Sequence, residues 1–320
     1  MGYVIATVNM KGGVGKTTLS VNLATCLAKH HGKRVLVVDL DTQISATLSL
    51  MSPQDFGKSR KEKRTLRQLV YKAVKPDSPT NLSIQDIIQP YVCTVKGLDL
   101  LPGDIDLYDE FLVSEMLHER ALRDGNSNFI QVWNNFEKQL VRGILQPIIK
   151  DYDFIILDCA PGYNLLTRSG IVASNFYLLP ARPEPLSVVG IQLLERRINK
   201  LKESHNLDGL LNLRLMGIVF IMSGNILSGR YYQQVMQRVT EDFTPAQIFK
   251  TRIPMDVNVS KAVDSFSPVI LNNPNSSGSK AFLKLTQEFL QKLQVSGGIY
   301  QAPEAKVNLA NLDWRFAMSG

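Results

Sequence analysis

The sequence predicts an α/β protein: a doubly wound, mostly parallel sheet with helices on both faces. Three observations carry that expectation. Short apolar runs rich in β-branched residues alternate with helical patterns. The runs are apolar at every position rather than every second one, as strands covered on both sides must be. A glycine-rich turn joins the first run to the first helical pattern, in strand–turn–helix order.

Strands are expected at residues 3–8, 35–38, 154–157, 176–179 and 215–222. Helical patterns follow at 17–29, 165–173, 187–202 and 230–242. A last helix at 280–293 places Phe282, Leu285, Phe289 and Leu293 near helical spacing. Length alone, 320 residues, suggests about two domains. The pattern instead favours one domain over 1–293 and a tail at 294–320 that opens on Ser-Gly-Gly. The extra length falls in a loop and an inserted helical region.

With 44% hydrophobic and 20% charged residues, the chain is neither disordered nor a disulfide-stapled miniprotein. Its three cysteines, Cys26, Cys93 and Cys159, are dispersed without a C-x-x-C pair, which suits a reducing compartment. No run approaches the ~18 apolar residues needed to span a bilayer, and no signal peptide opens the chain. A cytoplasmic protein is expected. The net charge of +7 permits a polyanionic partner. The basic run at 58–67 (KSRKEKRTLR) suits that partner or a plain solvated face.

The most informative segment is Met10-Lys11-Gly12-Gly13-Val14-Gly15-Lys16-Thr17-Thr18. Glycines let the backbone wrap a phosphate chain, and the loop and helix-start N–H groups then face the anion. Lys16 reaches the β/γ-phosphates and the Thr17 hydroxyl is placed for Mg²⁺. Residues 12–18 are the binding set. The strict phosphate-loop pattern is not met, because position 10 is Met, and a second lysine stands at Lys11. Carboxylates close two other strands: Asp39 and Asp41 after the second, and Asp158 after Phe154-Ile155-Ile156-Leu157. Ligands bind at that carboxyl edge of a parallel sheet.

The K-G-G-x-G-K-T segment resembles the deviant Walker A loop of the ParA/MinD class of P-loop ATPases. Asp39-Leu40-Asp41-Thr42-Gln43 resembles that class's D-x-D-P-Q, with Thr42 in place of Pro, and Asp158-Cys159-Ala160-Pro161-Gly162 resembles its D-T-P-P-[SG]. Further likeness runs through Leu101 to Leu107, Pro180 to Pro185, Ile253 to Ser260 and Pro268 to Gly278, closest to the ParA-type, Soj-like partitioning proteins.

The resemblance implies that Lys11 acts across an ATP-sandwiched homodimer, and that Asp41 orients the attacking water. It implies that Asp39, Asp158 and Thr17 serve the metal, that the Gly162 N–H senses the γ-phosphate, and that Pro254 and Met255 line the adenine. Lys11, Lys16 and Asp41 form the catalytic set. It further implies slow, partner-stimulated hydrolysis, non-specific DNA binding on the nucleoid and a ParB-like or cargo-adaptor partner. With the loop beginning by residue 10, no operator-specific DNA domain is expected. Met255 and Asn258 stand where ParA proteins often carry Arg. The DNA surface would then be rebuilt from Arg230, Arg238, Lys250, Arg252, Lys261, Lys280 and Lys284. Leu309, Leu312 and Phe316 lie near helical spacing in the tail, but the charge around them is thin, so a membrane partner is not expected.

Overall fold

The computed structural model describes residues 2–75, 82–125, 128–205, 213–221 and 230–297. Six strands form one sheet in the order β3-β2-β4-β1-β5-β6, and every pairing is parallel. They are β1 (Tyr3–Thr7), β2 (Val35–Asp39), β3 (Leu98–Leu101), β4 (Phe154–Asp158), β5 (Phe176–Ala181) and β6 (Arg214–Phe220). Five of them match expected strands. Met222, the last residue of the expected 215–222 run, lies outside the described residues. The sixth, β3, is an edge strand of only four residues, too short for its period to stand out.

In β1, β2 and β4 the apolar residues divide strictly by parity. Val4, Ala6 and Val8 of the β1 segment, Leu36 and Val38 of β2, and Ile155 and Leu157 of β4 enter one core. Ile5, Val35, Val37, Phe154 and Ile156 enter the other. Successive strand side chains point to opposite faces, so a strand buried on both sides must be apolar throughout. Each Val, Leu, Ile or Phe among them contributes about 1.5–3 kcal/mol by leaving water.

The first core is covered by α4 (Leu66–Val74), α6 (Glu110–Arg123), α7 (Phe129–Leu145), α8 (Leu165–Ala173), α9 (Pro185–His205) and α10 (Arg230–Asp242). The second lies beneath α1 (Lys16–His31), α2 (Ser45–Leu50), α3 (Pro53–Lys61), α11 (Val257–Asp264), α12 (Val269–Asn272) and α13 (Ser277–Gly297). A one-turn α5 (Ile84–Ile87) precedes β3. The 58–67 run thus spans the end of α3, the turn after it and the start of α4. Arg60 pairs with Asp104 and Asp106, Arg67 with Asp106, and Arg64 with Glu62, so much of its charge is met locally. Beyond Gly297 the tail, including Leu309, Leu312 and Phe316, lies outside the described residues.

Helix ends follow local chemistry. Gly15 opens α1 and Gly32 closes it, both left-handed, and the Gly32 and Lys33 N–H groups donate to Ala28 O and Leu27 O. Asn164 caps α8 by accepting from Thr167 N at 2.8 Å. No helix among the described residues is long and apolar enough to cross a membrane.

One buried group makes stability pH-dependent. Glu195 on α9 is 4% exposed, accepts from the Tyr177 hydroxyl at 3.0 Å through Oε2, and has no hydrogen-bond partner at Oε1. Burial pushes its carboxyl up to about 7, against Tyr177 and Lys202, which favour the charge. An acid raised above its unfolded value, about 4.3, stabilises fully below that value and loses the contribution as pH rises through 7. Glu195→Gln is therefore expected to melt roughly 3–6 °C above wild type at pH 8, with the gap closing toward pH 4. Thermal scans across that range check it, and a gap independent of pH would remove Glu195 as its source.

Candidate functional site

The carboxyl ends of β2, β4 and β1 lie side by side, and register sets the chemistry there. Asp39 ends β2 opposite Asp158 at the end of β4, and Asp158 in turn faces Thr7 of β1. The glycine loop leaves β1 and closes over this edge. Gly13 and Gly15 take φ of 70° and 88°, a region costly for a side chain, and a Cβ on Gly15 would sit 2.6 Å from Ile221 Cδ1. Asn9 anchors the loop: its Nδ2 donates to Pro180 O at 2.8 Å and its Oδ1 accepts from Lys11 N at 2.9 Å. In the sequence Asn9 stands out only as a polar residue at the end of an apolar strand.

Lys16 is 7% exposed and donates to the Lys11 carbonyl at 3.1 Å. Burial pulls its ammonium below the ordinary lysine range, opposed by Asp158 and Asp41. The cradle therefore holds a cation with less counter-charge than it needs. That is the condition in which an entering phosphate gains most.

Behind it the Thr17 hydroxyl donates to Asp158 Oδ2 at 2.7 Å and the Ser20 hydroxyl to Asp158 Oδ1 at 2.8 Å. Asp39 is fully buried one layer deeper. Its Oδ1 accepts from Asp41 N, and its Oδ2 accepts from both the N–H and the hydroxyl of Thr47 at 2.8 Å. The Thr47 hydroxyl also accepts from Gly103 N at 2.9 Å. Burial raises both acids; the Asp158 charge adds to the rise at Asp39, while Thr17, Ser20 and Lys16 hold Asp158 back.

Asp41 is 8% exposed, accepts from Gln43 N at 3.0 Å, and lines the cleft. Gly162, after β4, takes a φ of 95° that favours glycine, next to Pro161 on the cleft wall. The cleft holds about 810 Å³ between residues 13–18 and the segment carrying Pro254, Met255 and Asp256. That segment extends the sheet through bridges from Ile248 to Ile218 and from Ile253 to Ile221. Asp256 is pulled down to about 2, because its hydrogen bonds from Gly278, Asn258 and Ser277 outweigh burial. It thereby ties the head of α11 to α13.

Among the described residues no cluster of three His, Cys, Asp or Glu side chains could hold a metal. The Thr17 hydroxyl and Asp158 are oxygen donors of the kind that would suit Mg²⁺ brought in with a nucleotide.

A cleft that joins a glycine cradle, a buried lysine and a strand-end carboxylate is a phosphate site, and similarity places it in a family. The family described as an AAA domain matches residues 2–210. The sporulation initiation inhibitor protein Soj of Bacillus subtilis is 32% identical over 290 residues, covering 90% of this chain and 98% of that protein. The chain belongs to the ParA/MinD class of P-loop ATPases. The chromosome partitioning protein ParA of Myxococcus xanthus is 29% identical over 294 residues, covering 91% of this chain and 89% of that one. The solved cell division ATPase MinD of Pyrococcus furiosus superposes with a TM-score of 0.63 at 22% identity, over 92% of this chain and 100% of its own.

The second lysine of the loop, Lys11, forms its ion pair outside the loop. Its Nζ meets Glu184 Oε2 at 3.0 Å with 40% of the side chain exposed, and Arg182 lies 3.9 Å from the same carboxylate. Glu184, on the β5–α9 connection, belongs to no motif that the sequence displays.

The residues expected to meet DNA do not form one stripe. Lys250, Arg252, Lys261, Lys280 and Lys284 are exposed. The Lys250 and Thr251 N–H groups donate to Glu288 of α13, on the helical face that also carries Lys280 and Lys284. Arg238 stands on α10, which packs on the opposite face of the sheet from α13. Arg230 begins that same helix, and its side chain lies outside the described residues. The sequence could not place α10, because which face a crossover helix covers is decided by strand order.

Proposed function

We propose that this ATPase is a nucleotide-driven positioning switch. Bound to ATP it forms a face-to-face dimer that holds DNA without sequence preference, and a partner protein stimulates hydrolysis and resets it. The observation that carries the reading is Lys11. Lys16 supplies the buried cation of the cradle, Arg182 also lines the cleft, and among the described residues the Lys11 ammonium is held by an ion pair with Glu184 at the rim. Pairs this exposed contribute about 0–1 kcal/mol. A phosphate presented by a second subunit would outcompete Glu184 with ease. A cation supplied in trans makes hydrolysis depend on dimerisation.

In this mechanism residues 12–18 hold the phosphates through backbone N–H groups, and Lys16 neutralises the terminal ones. Bound Mg²⁺ would supply further charge neutralisation there, held by the Thr17 hydroxyl with Asp158 behind it. Asp41 orients the attacking water, Asp39 fixes the loop that carries Asp41, and the Gly162 N–H reports the γ-phosphate. Pro254 and Met255 flank the base. Lys250, Lys261, Lys280 and Lys284 meet DNA phosphates. The likeness to proteins named for chromosome partitioning supports a DNA-borne cargo, and a nucleoid location when ATP is bound.

The test is DNA retention and sedimentation with ATP or ADP. The ATP form is expected to sediment as a dimer and to retain random duplex. Its affinity should fall roughly 10³-fold or more between 50 and 200 mM salt, since each phosphate contact releases counterions. Equal retention with ADP, or retention indifferent to salt, would sink the DNA step.

A further inference from the structure

The nucleotide cleft is not the largest space in the molecule. A cavity of about 1350 Å³ opens at the amino edge of the sheet, where α1 ends and β2 and β3 begin. Its walls are the end of α1, α3, the 92–97 connection and Ser265–Phe266–Ser267. We propose that this cavity is a second binding site, for a small polyanion of nucleotide size that carries an aromatic ring.

Charge is the first argument. Lys29, Lys33, Arg34, Lys58, Arg64 and Lys96 line the cavity, against Asp55 and Glu62 only. Arg34 is engaged by Asp153, outside the cavity, and Arg64 reaches Glu62 at 3.8 Å. No ion pair is found for the four lysines among the described residues. Like charges gathered around a concave surface repel one another and focus a positive potential inside it. Phosphate groups relieve that repulsion. The carbonyl end of α1 opposes an anion, but Gly32 and Lys33 N–H groups occupy two of its carbonyls and six cations stand against the rest.

Shape and backbone are the second argument. The floor is apolar, with Leu50, Met51, Val92 and Val95 all buried, and Phe266 stands at the rim 38% exposed. A cationic rim over an apolar floor beside an open ring suits a base joined to phosphates rather than a bare anion. Three non-glycine residues of the wall are left-handed: Cys93 at φ 53°, Thr94 at 58° and Phe266 at 50°. Such strain persists where the surroundings impose it, and it concentrates at ligand clamps. The volume exceeds the roughly 300–1,000 Å³ of an ordinary small-ligand pocket, so a dinucleotide fits.

Ser267 lines both this cavity and the nucleotide cleft, so a test must fill the cleft first. Full-length protein saturated with MgADP is titrated calorimetrically with a 5′-phosphorylated adenine dinucleotide. One saturable site per chain is expected. Lys58→Glu combined with Lys96→Glu should weaken it at least about tenfold, the loss of one or two charge-assisted contacts. Phe266→Ala should weaken it several-fold, and ADP affinity should hold in both variants, which shows that they fold. Absence of a saturable site overturns the proposal, as does binding that survives the charge reversals. Random duplex that loses affinity in the charge-reversed variant while the dinucleotide never binds would assign the cavity to nucleic acid, and also overturns it.

Discussion

Lys16→Ala is expected to lose nucleotide binding while the apo fold stays at least as stable as wild type. The two halves have one cause. Lys16 is buried at the start of α1, and burial outweighs Asp158 and Asp41 in setting its proton affinity, so its charged form is disfavoured in the empty protein. Its removal takes away a desolvated cation and leaves Asp158 held by Thr17 and Ser20. With phosphates in the cradle the balance reverses, because a charge-assisted hydrogen bond contributes about 1.5–3 kcal/mol and the lysine reaches more than one oxygen. A loss of roughly 10²–10³ in ADP affinity follows. Calorimetric titration reads the affinity and a thermal scan without nucleotide reads the fold. Affinity within threefold of wild type would place the phosphates elsewhere.

Asp41→Ala is expected to do the opposite: nucleotide stays and hydrolysis stops. Asp41 belongs to the cleft wall, while the Asp39 carboxylate fixes its backbone N–H at 3.1 Å. Ala at that position removes the carboxylate without touching the glycine loop. General-base groups contribute about 10²–10⁴ to rate, and a fall of that size in single-turnover hydrolysis is expected. The dimer should then persist on DNA after excess ADP is added. Hydrolysis at the wild-type rate would remove Asp41 from the reaction. Asp39→Ala is a contrasting control: it leaves Thr47 and the Asp41 N–H without their buried acceptor, so it should also destabilise the fold.

The same contrast separates what could be read along the chain from what could not. The phosphate loop was legible because its function is nearly local: glycines at the φ > 0 positions, then Lys16 and Thr17 within one turn of helix. Five strands were legible because burial on both faces leaves no polar position. The stretch from α2 to α7 was not. Its helices α2 to α5 are only 4–9 residues long, α6 and α7 follow one another with no strand between them to mark the alternation, and β3 is held by pairing with β2 along one edge.

By itself the sequence determined the α/β class, the phosphate cradle and the carboxylates at the strand ends, since these follow from contiguous residues under short-range steric rules. Tertiary structure alone decided which distant groups meet. Glu184 lies 173 residues from Lys11 and engages it, while Asn9 is anchored on Pro180. Asp39 is held by Thr47, which Gly103 secures in turn. Arg238 stands apart from Lys280 and Lys284, and six scattered cations surround one cavity. The physical reason is the crossover. The connection from β1 to β2 passes over β4, and that from β4 to β5 passes over β1, so residues far apart in the chain share one edge of the sheet. Which side chains then face each other depends on strand order and helix side, and no local spacing encodes either.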